Sequence, residues 1–221
     1  MTADIAGFVR ERLGHDPQDL FLFERALSHS STGTDSYERL EFLGDRVLGL
    51  VIARWLFERF PEEPEGNLSR RYNALVARET CAEIGRTIGL PEFIRLGKQA
   101  REDGANQSDN VVGDAVESLI GALLLDGGLE KAEAFIRQAW VTYLEGQGRA
   151  PQHPKSALQE LTAARRLKAP TYDVVSRTGA HHSPRFVVRV TVPRLGSAEA
   201  EGSSKQEAET AAAEALLNQL Q

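Results

Sequence analysis

The chain lacks most of what would place it in a special class. Among 221 residues there is one cysteine, Cys81, so no intramolecular disulfide is available, and no Cys/His cluster has zinc spacing. A reducing, cytosolic setting fits. Long apolar runs are missing too. The longest, Val111 to Leu125, is 15 residues and carries Asp114 and Glu117, too short and too charged to span a bilayer. The first residues, MTADIAGFVRERLG, alternate in polarity and do not read as a secretory signal. Low-complexity and disordered character are excluded by 41% hydrophobic and 26% charged residues. Positive charge is also in short supply: 26 Lys+Arg against 32 Asp+Glu give a net of −6, which at face value argues against a polyanionic partner.

What is present falls into two parts. Residues 1–145 read as a string of helices with a 3.6-residue apolar period. Asp16-Pro17 is expected to open one. Tyr37 to Phe60 forms a long one stopped by the Pro61–Gly66 segment. Another starts at Asn67 or Ser69 and runs to about Gly89; Asp109 to Leu125 and Leu129 to about Glu145 flank a Gly127-Gly128 break. Residues 146–153 read as a linker, since the stretch from Gly146 to Pro154 packs two Gly and two Pro into nine residues. Residues 154–221 change class. A helix from Pro154 to about Leu167 precedes strand-like runs at Thr171 to Arg177, Arg185 to Val192 and about Ala198 to Glu201, and an Ala-rich helix begins at Ser203 or Ser204 with a capping-box pattern reaching Glu207. The expected order there is αβββα. Charge divides likewise: residues 1–153 hold 17 basic and 25 acidic side chains, net −8, and residues 154–221 are at +2.

The acidic half contains two carboxylate stripes. Glu38, Glu41 and Asp45, at i, i+3, i+7, share one face of a largely apolar helix and are flanked by Arg39 and Arg46. Asp114 and Glu117 repeat the device in a segment whose only other polar side chain is Ser118. An ionised carboxylate in apolar surroundings needs a cationic partner, and clustered carboxylate oxygens suit a hard divalent ion such as Mg²⁺. Spacing alone leaves the plain alternatives open, a solvated helix face or partners for the neighbouring arginines.

The string Glu38-Arg-Leu-Glu-Phe-Leu-Gly-Asp45-Arg-Val-Leu resembles the signature segment of the ribonuclease III family. Ala26-Leu-Ser-His-Ser-Ser31, Glu65-Gly-Asn-Leu-Ser69 and Asp114-Ala-Val-Glu-Ser-Leu-Ile-Gly121 are similar to its other nuclease elements, in order. Pro154-Lys-Ser-Ala-Leu-Gln-Glu160, Pro170-Thr-Tyr172, Gly179 to Pro184 and Ser204-Lys-Gln-Glu-Ala-Glu209 are similar to successive elements of a double-stranded-RNA-binding domain. The resemblance implies an all-α nuclease domain followed by an α+β RNA-binding domain. Together they would make a homodimeric, cytoplasmic, Mg²⁺-dependent endoribonuclease for double-stranded RNA, with Mn²⁺ as a substitute ion and no organic cofactor or membrane partner. Carried over residue by residue, the metal ligands fall on Glu41, Asp114 and Glu117, the catalytic acids on Asp45 and Glu117, and supporting acids on Glu38 and Glu65. All six are acidic here, and retention of the set goes with cleavage in the family.

For the tail, the resemblance places RNA contacts at Gln159, Glu160, His181 and Lys205. A-form RNA is read by shape, through 2′-hydroxyls of the shallow groove and phosphates across the deep one. Lys205 stands at a helix start that already favours an anion. The chain departs from the family in following Lys205 with Gln206 and Glu207 instead of further lysines, and in Arg46, Asn67 and Gly113 beside the acidic positions.

Overall fold

The computed structural model describes residues 4–33, 35–148, 150–179 and 184–220, and the chain divides into two compact units, Met1–Pro151 and Gln152–Gln221. The first is helical: α1 (Ile5–Leu13), α2 (Leu20–Ala26), α3 (Glu38–Arg59), α4 (Glu65–Leu75), α5 (Arg78–Thr87), α6 (Lys98–Glu102) and α7 (Asp109–Gly146), with short 3₁₀ turns between some of them. The second is α8 (Pro154–Ala164), β1 (Thr171–Thr178), β2 (Arg185–Val192), β3 (Gly196–Gly202) and α9 (Lys205–Asn218). Among the described residues no helix is long and apolar enough to cross a membrane.

Several boundaries differ from expectation for local reasons. Asp16-Pro17 does not open a helix; α2 begins at Leu20, where the Asp19 carboxylate accepts from the Phe21 amide and caps the turn. The run expected from Asn67 to Gly89 is two helices, because extended Ala77 interrupts it before Arg78. The helix after Pro154 ends at Ala164, not Leu167. In α7 the break falls at Gly128, whose φ of 80° and ψ of 177° a side chain would resist. That helix runs to Gly146, one residue into the expected linker.

The core of the first unit is built on α7 and α3. Leu40, Val47, Leu48, Val51, Ile52 and Leu56 follow the helical period on α3 and are buried. On α7, residues from Val111 to Leu123 are buried except Asp114 and Glu117, which are partly covered. Two glycines let these helices meet at backbone distance. A Cβ on Gly44 of α3 would overlap the Glu117 carbonyl oxygen and stand 2.9 Å from the Gly121 nitrogen; one on Gly121 would overlap the Leu40 carbonyl. The crossing is therefore set by residues with no side chain, one turn from the carboxylates on each helix.

Buried polar groups fix the remaining segments. Ser118 Oγ lies within hydrogen-bond distance of the carbonyls of Ala26, at 2.5 Å, and Ala115, at 2.8 Å, and Trp140 Nε1 donates to the Leu75 carbonyl at 2.8 Å. Arg71, 1% exposed, gives Nε and Nη2 to the Glu63 carboxylate at 2.8 and 2.7 Å and Nη1 to the Gln147 carbonyl at 2.6 Å, tying the turn before Glu65 to the end of α7. Beside the Gly128 kink, the Asp126 carboxylate, 2% exposed, accepts from the amides of Gln18 and Asp19 at 2.8 and 2.7 Å and contacts His15 Nε2 at 2.6 Å. Burial alone would raise its pKa; the Gln18 amide, His15 and the Asp19 amide outweigh it and hold the pKa below the usual value. The unfolded chain therefore takes up the proton first as pH falls, so this stabilisation is complete above the ordinary carboxyl pKa and is lost on acidification through the depressed one. Asp126→Ala is expected to cost about 2–4 kcal/mol in urea unfolding at pH 7, the price of two unpaired amides and an orphaned imidazole. Near pH 2 the difference should shrink, and a constant difference from pH 7 to 2 would contradict the ionic part of the explanation.

In the second unit β1, β2 and β3 form an antiparallel sheet in sequence order, with Val174 opposite Val188 and Val188 opposite Ala200. Val190, Val192 and Ala198 pack with Leu158 of α8 and Ala212, Ala213 and Leu216 of α9 in a separate small core. Ser204 caps α9, accepting from the Glu207 amide at 3.1 Å, while the Glu207 carboxylate reaches back to the Ser203 amide at 2.8 Å. That reciprocal pair satisfies donors which the first turn of a helix leaves open.

Candidate active site

The α3–α7 crossing brings Glu41 of α3 into electrostatic range of Asp114 and Glu117 of α7, with Glu38 beside Glu41 on its own helix. Glu41 is pushed above its usual pKa by burial, then by Asp114 and Glu38. Asp114 is raised by burial against the opposing pull of Arg78, the Tyr37 hydroxyl at 3.5 Å and His29. Glu117 is pushed up to about 7, first by burial and then by Asp114 and Glu41, with Arg78 and Arg46 opposing. All three are desolvated, and neighbouring carboxylates add to the cost of ionising Glu41 and Glu117. Among the described residues, none of Glu41, Asp114 and Glu117 closes an ion pair.

Asp45 lies one turn along α3 from Glu41, half-exposed, and pairs with Arg46, whose guanidinium lies 5.1 Å from the centre of the Phe42 ring. Glu65 stands apart. It is exposed in the first turn of α4, and its Oε1 accepts from Ser69 Oγ at 2.6 Å. Cys81 on α5 is fully buried, and burial together with Glu117 and Asp114 pushes its thiol up to about 12, which keeps it protonated and inert.

The donor set is hard oxygen without thiolate or imidazole. Among the described residues no three such groups stand in ready-made metal-binding geometry. Uncompensated carboxylates repel one another, and Mg²⁺ takes only one or two directly while keeping water in the rest of its shell. These desolvated carboxylates on facing helices thus fit a hydrated divalent cation, which would relieve their repulsion.

Four further residues shape the site: Arg78, Tyr37, Gly44 and Gly121. Arg78 is the nearby cation whose charge favours the ionised forms of Glu41, Asp114 and Glu117, and it comes from a different helix. Tyr37, 3% exposed, bridges towards Asp114 from the start of α3. Gly44 and Gly121 set the approach. Only the glycines carried a sequence signal, as small residues on otherwise bulky apolar faces.

In the second unit, Gln159 and Lys205 line one recess with Lys155 and Gln206. Lys205 Nζ is 3.7 Å from Glu209, a carboxylate that Lys155 approaches to 2.6 Å. Glu160 is exposed on α8 and accepts from the Gln152 amide group. His181 lies outside the described residues.

Comparison with known proteins gives the same division. Residues 19–144 match the family described as Ribonuclease-III-like, and residues 154–220 match the double-stranded RNA binding motif. The chain is 56% identical over 211 residues to the Ribonuclease 3 of Zymomonas mobilis, covering 96% of this chain and 86% of that one. Among solved structures it resembles the nuclease domain of Ribonuclease III from Campylobacter jejuni, with TM-score 0.60 and 32% identity over 69% of this chain and 99% of that one. A second structure of that domain, described for flexibility in a region involved in its dimer formation, gives TM-score 0.58 and 34% identity over 60% of this chain and 93% of that one.

Proposed function

Since the chain belongs to the ribonuclease III family, we propose that it is a Mg²⁺-dependent endoribonuclease that hydrolyses double-stranded RNA, with the α3–α7 carboxylates as its cleaving centre. The observation that carries this reading is the facing of Glu41 against Asp114 and Glu117, all three raised in pKa and none of them closing an ion pair among the described residues. Glu41, Asp114 and Glu117 would hold the ion, Mn²⁺ serving as a substitute. When bound, such an ion polarises a phosphate oxygen and lowers the pKa of water. Asp45 and Glu117 are the catalytic acids. Asp45, near the cluster but solvent-accessible, orients the attacking water, and Glu38 and Glu65 order substrate and neighbouring polar groups. Products carry 5′-phosphate and 3′-hydroxyl ends.

A homodimer is supported by Phe42, Leu50 and Phe57, which recur at seven- and eight-residue spacing on one face of α3 and are 65%, 59% and 71% exposed. Two copies acting across a duplex would cut each strand once and leave short 3′ overhangs. The cellular targets in this reading are ribosomal RNA precursors and some messenger and transfer RNA precursors, in the cytoplasm. The second unit holds the duplex through Gln159, Glu160, His181 and Lys205. Lys205→Ala is expected to weaken duplex binding uniformly across sequences and to reduce the log–log salt slope by about 1. An unchanged slope would remove Lys205 from the phosphate contacts.

The function itself is tested by incubating a long labelled duplex with and without Mg²⁺ beside a single-stranded control. Cutting of the duplex alone, and only with the ion, is expected. Binding without products at every Mg²⁺ concentration would make the protein an RNA-binding module instead.

A further inference from the structure

Asn110, Asp114 and Glu117 are spaced i, i+4, i+7 along α7 and form one stripe on it. Arg78, the first residue of α5, lies against that stripe. Its Nη1 donates to Asn110 Oδ1 at 3.0 Å, and its carbonyl oxygen and Cγ would stand 3.3 and 3.4 Å from a Cβ built on Gly113. Glycine at 113 thus leaves room for the arginine stem, and Asn110 holds the head group one helical turn from Asp114.

The electrostatics of this placement are unusual. An arginine so near three carboxylates would ordinarily collapse onto one of them, yet among the described residues Arg78 forms no ion pair, and the Asn110 bond occupies one of its five donors. Its charge also opposes any divalent cation held by the same carboxylates. A fixed cation beside a cation site is favourable once an anion enters between the two. The substrate of the proposed reaction supplies such an anion at every nucleotide, and a guanidinium matches phosphate oxygens in geometry as well as charge.

We propose that Arg78, held in place by Asn110 and accommodated by Gly113, is a ligand of the RNA backbone phosphate at the cleavage site, with Asn110 as its positioning residue. This inference rests on the proposed cleavage activity and adds to it a contact outside the carboxylate set. The opposite signs expected for RNA and for metal separate it from a structural role.

The test uses the full chain as wild type, Arg78→Ala, Arg78→Lys and Asn110→Ala, with cleavage of a labelled duplex in Mg²⁺ and Mn²⁺ binding by calorimetry without RNA. Arg78→Ala is expected to lower kcat/KM by about 10- to 100-fold, the loss of a charge-assisted hydrogen bond, while Mn²⁺ binds as tightly as in wild type or more tightly. Arg78→Lys should recover part of the loss, and Asn110→Ala should fall between wild type and Arg78→Ala. Full cleavage by Arg78→Ala, beside an active wild type, would overturn the inference and leave the proposed function standing. Parallel loss of Mn²⁺ binding and thermal stability in Arg78→Ala and Arg78→Lys would also overturn it, by making the arginine structural. A wild type that does not cut the duplex overturns the proposed function and this inference with it.

Discussion

Glu117→Gln is expected to reduce duplex cleavage by at least about 10³-fold while leaving duplex binding within about twofold of wild type. The substitution keeps the shape of the side chain and removes the charge that the cluster needs to hold a cation. Binding should survive because the proposed duplex contacts lie on the second unit, whose core is separate. Stability moves in the opposite direction from activity. Burial, Asp114 and Glu41 push Glu117 up to about 7, so between about pH 4.5 and 7 the unfolded chain releases this proton while the folded chain retains it. The folded state binds more protons there, and stability declines as pH rises through the window. Glu117→Gln removes that cost and should stabilise the protein by about 1–3 kcal/mol above pH 7, with little gain at pH 4. A variant that is inactive and also less stable at pH 8 would point to misfolding as the cause of inactivity.

Gly44→Ala is expected to be the most damaging single methyl addition in the first unit. The new Cβ would overlap the Glu117 carbonyl oxygen and stand 2.6 Å from its carbon, both backbone atoms that cannot rotate away. Helices α3 and α7 would have to separate, at a cost of at least about 3 kcal/mol. Separation also draws Glu41 away from Asp114 and Glu117, and a misplacement of about 1 Å costs roughly 10²-fold in rate. Thermal denaturation and cleavage should therefore fail together. Gly146→Ala is the control, since apart from its chain neighbours and its own helix backbone no heavy atom lies within 4 Å of its Cβ position. A wild-type melting temperature for Gly44→Ala would contradict the crossing as described.

The two helices that carry the site were legible because their chemistry is local. Glu38, Glu41 and Asp45 share a face by spacing alone, and the apolar run around Asp114 and Glu117 marks a buried helix with misplaced charges. Their facing was not legible, because it depends on Gly44 meeting Gly121 across 77 positions of chain. Arg78 was hidden for the same reason. Nothing near it in sequence shows that it lies beside Asn110, and the sequence pattern runs on through Ala77 without marking the start of a helix at Arg78. Asp16-Pro17 has the pattern of a helix start, whereas Asp19 caps α2 and the amides of Gln18 and Asp19 are spent on Asp126, a partner 107 residues away from Asp19. The αβββα order of the second unit was the easiest to read, since β-branched runs and the Ser204–Glu207 cap are both short-range signals.

Carboxylates from α3 and α7 together are proposed to hold the cation that RNA cleavage requires. Calorimetric titration of Mn²⁺ into the full chain, compared with a triple variant carrying Glu41→Gln, Asp114→Asn and Glu117→Gln, tests it most directly. Saturable binding to the wild type that disappears in the triple variant, with both proteins giving the same circular dichroism, is the predicted result. The same isotherm for both proteins would contradict it.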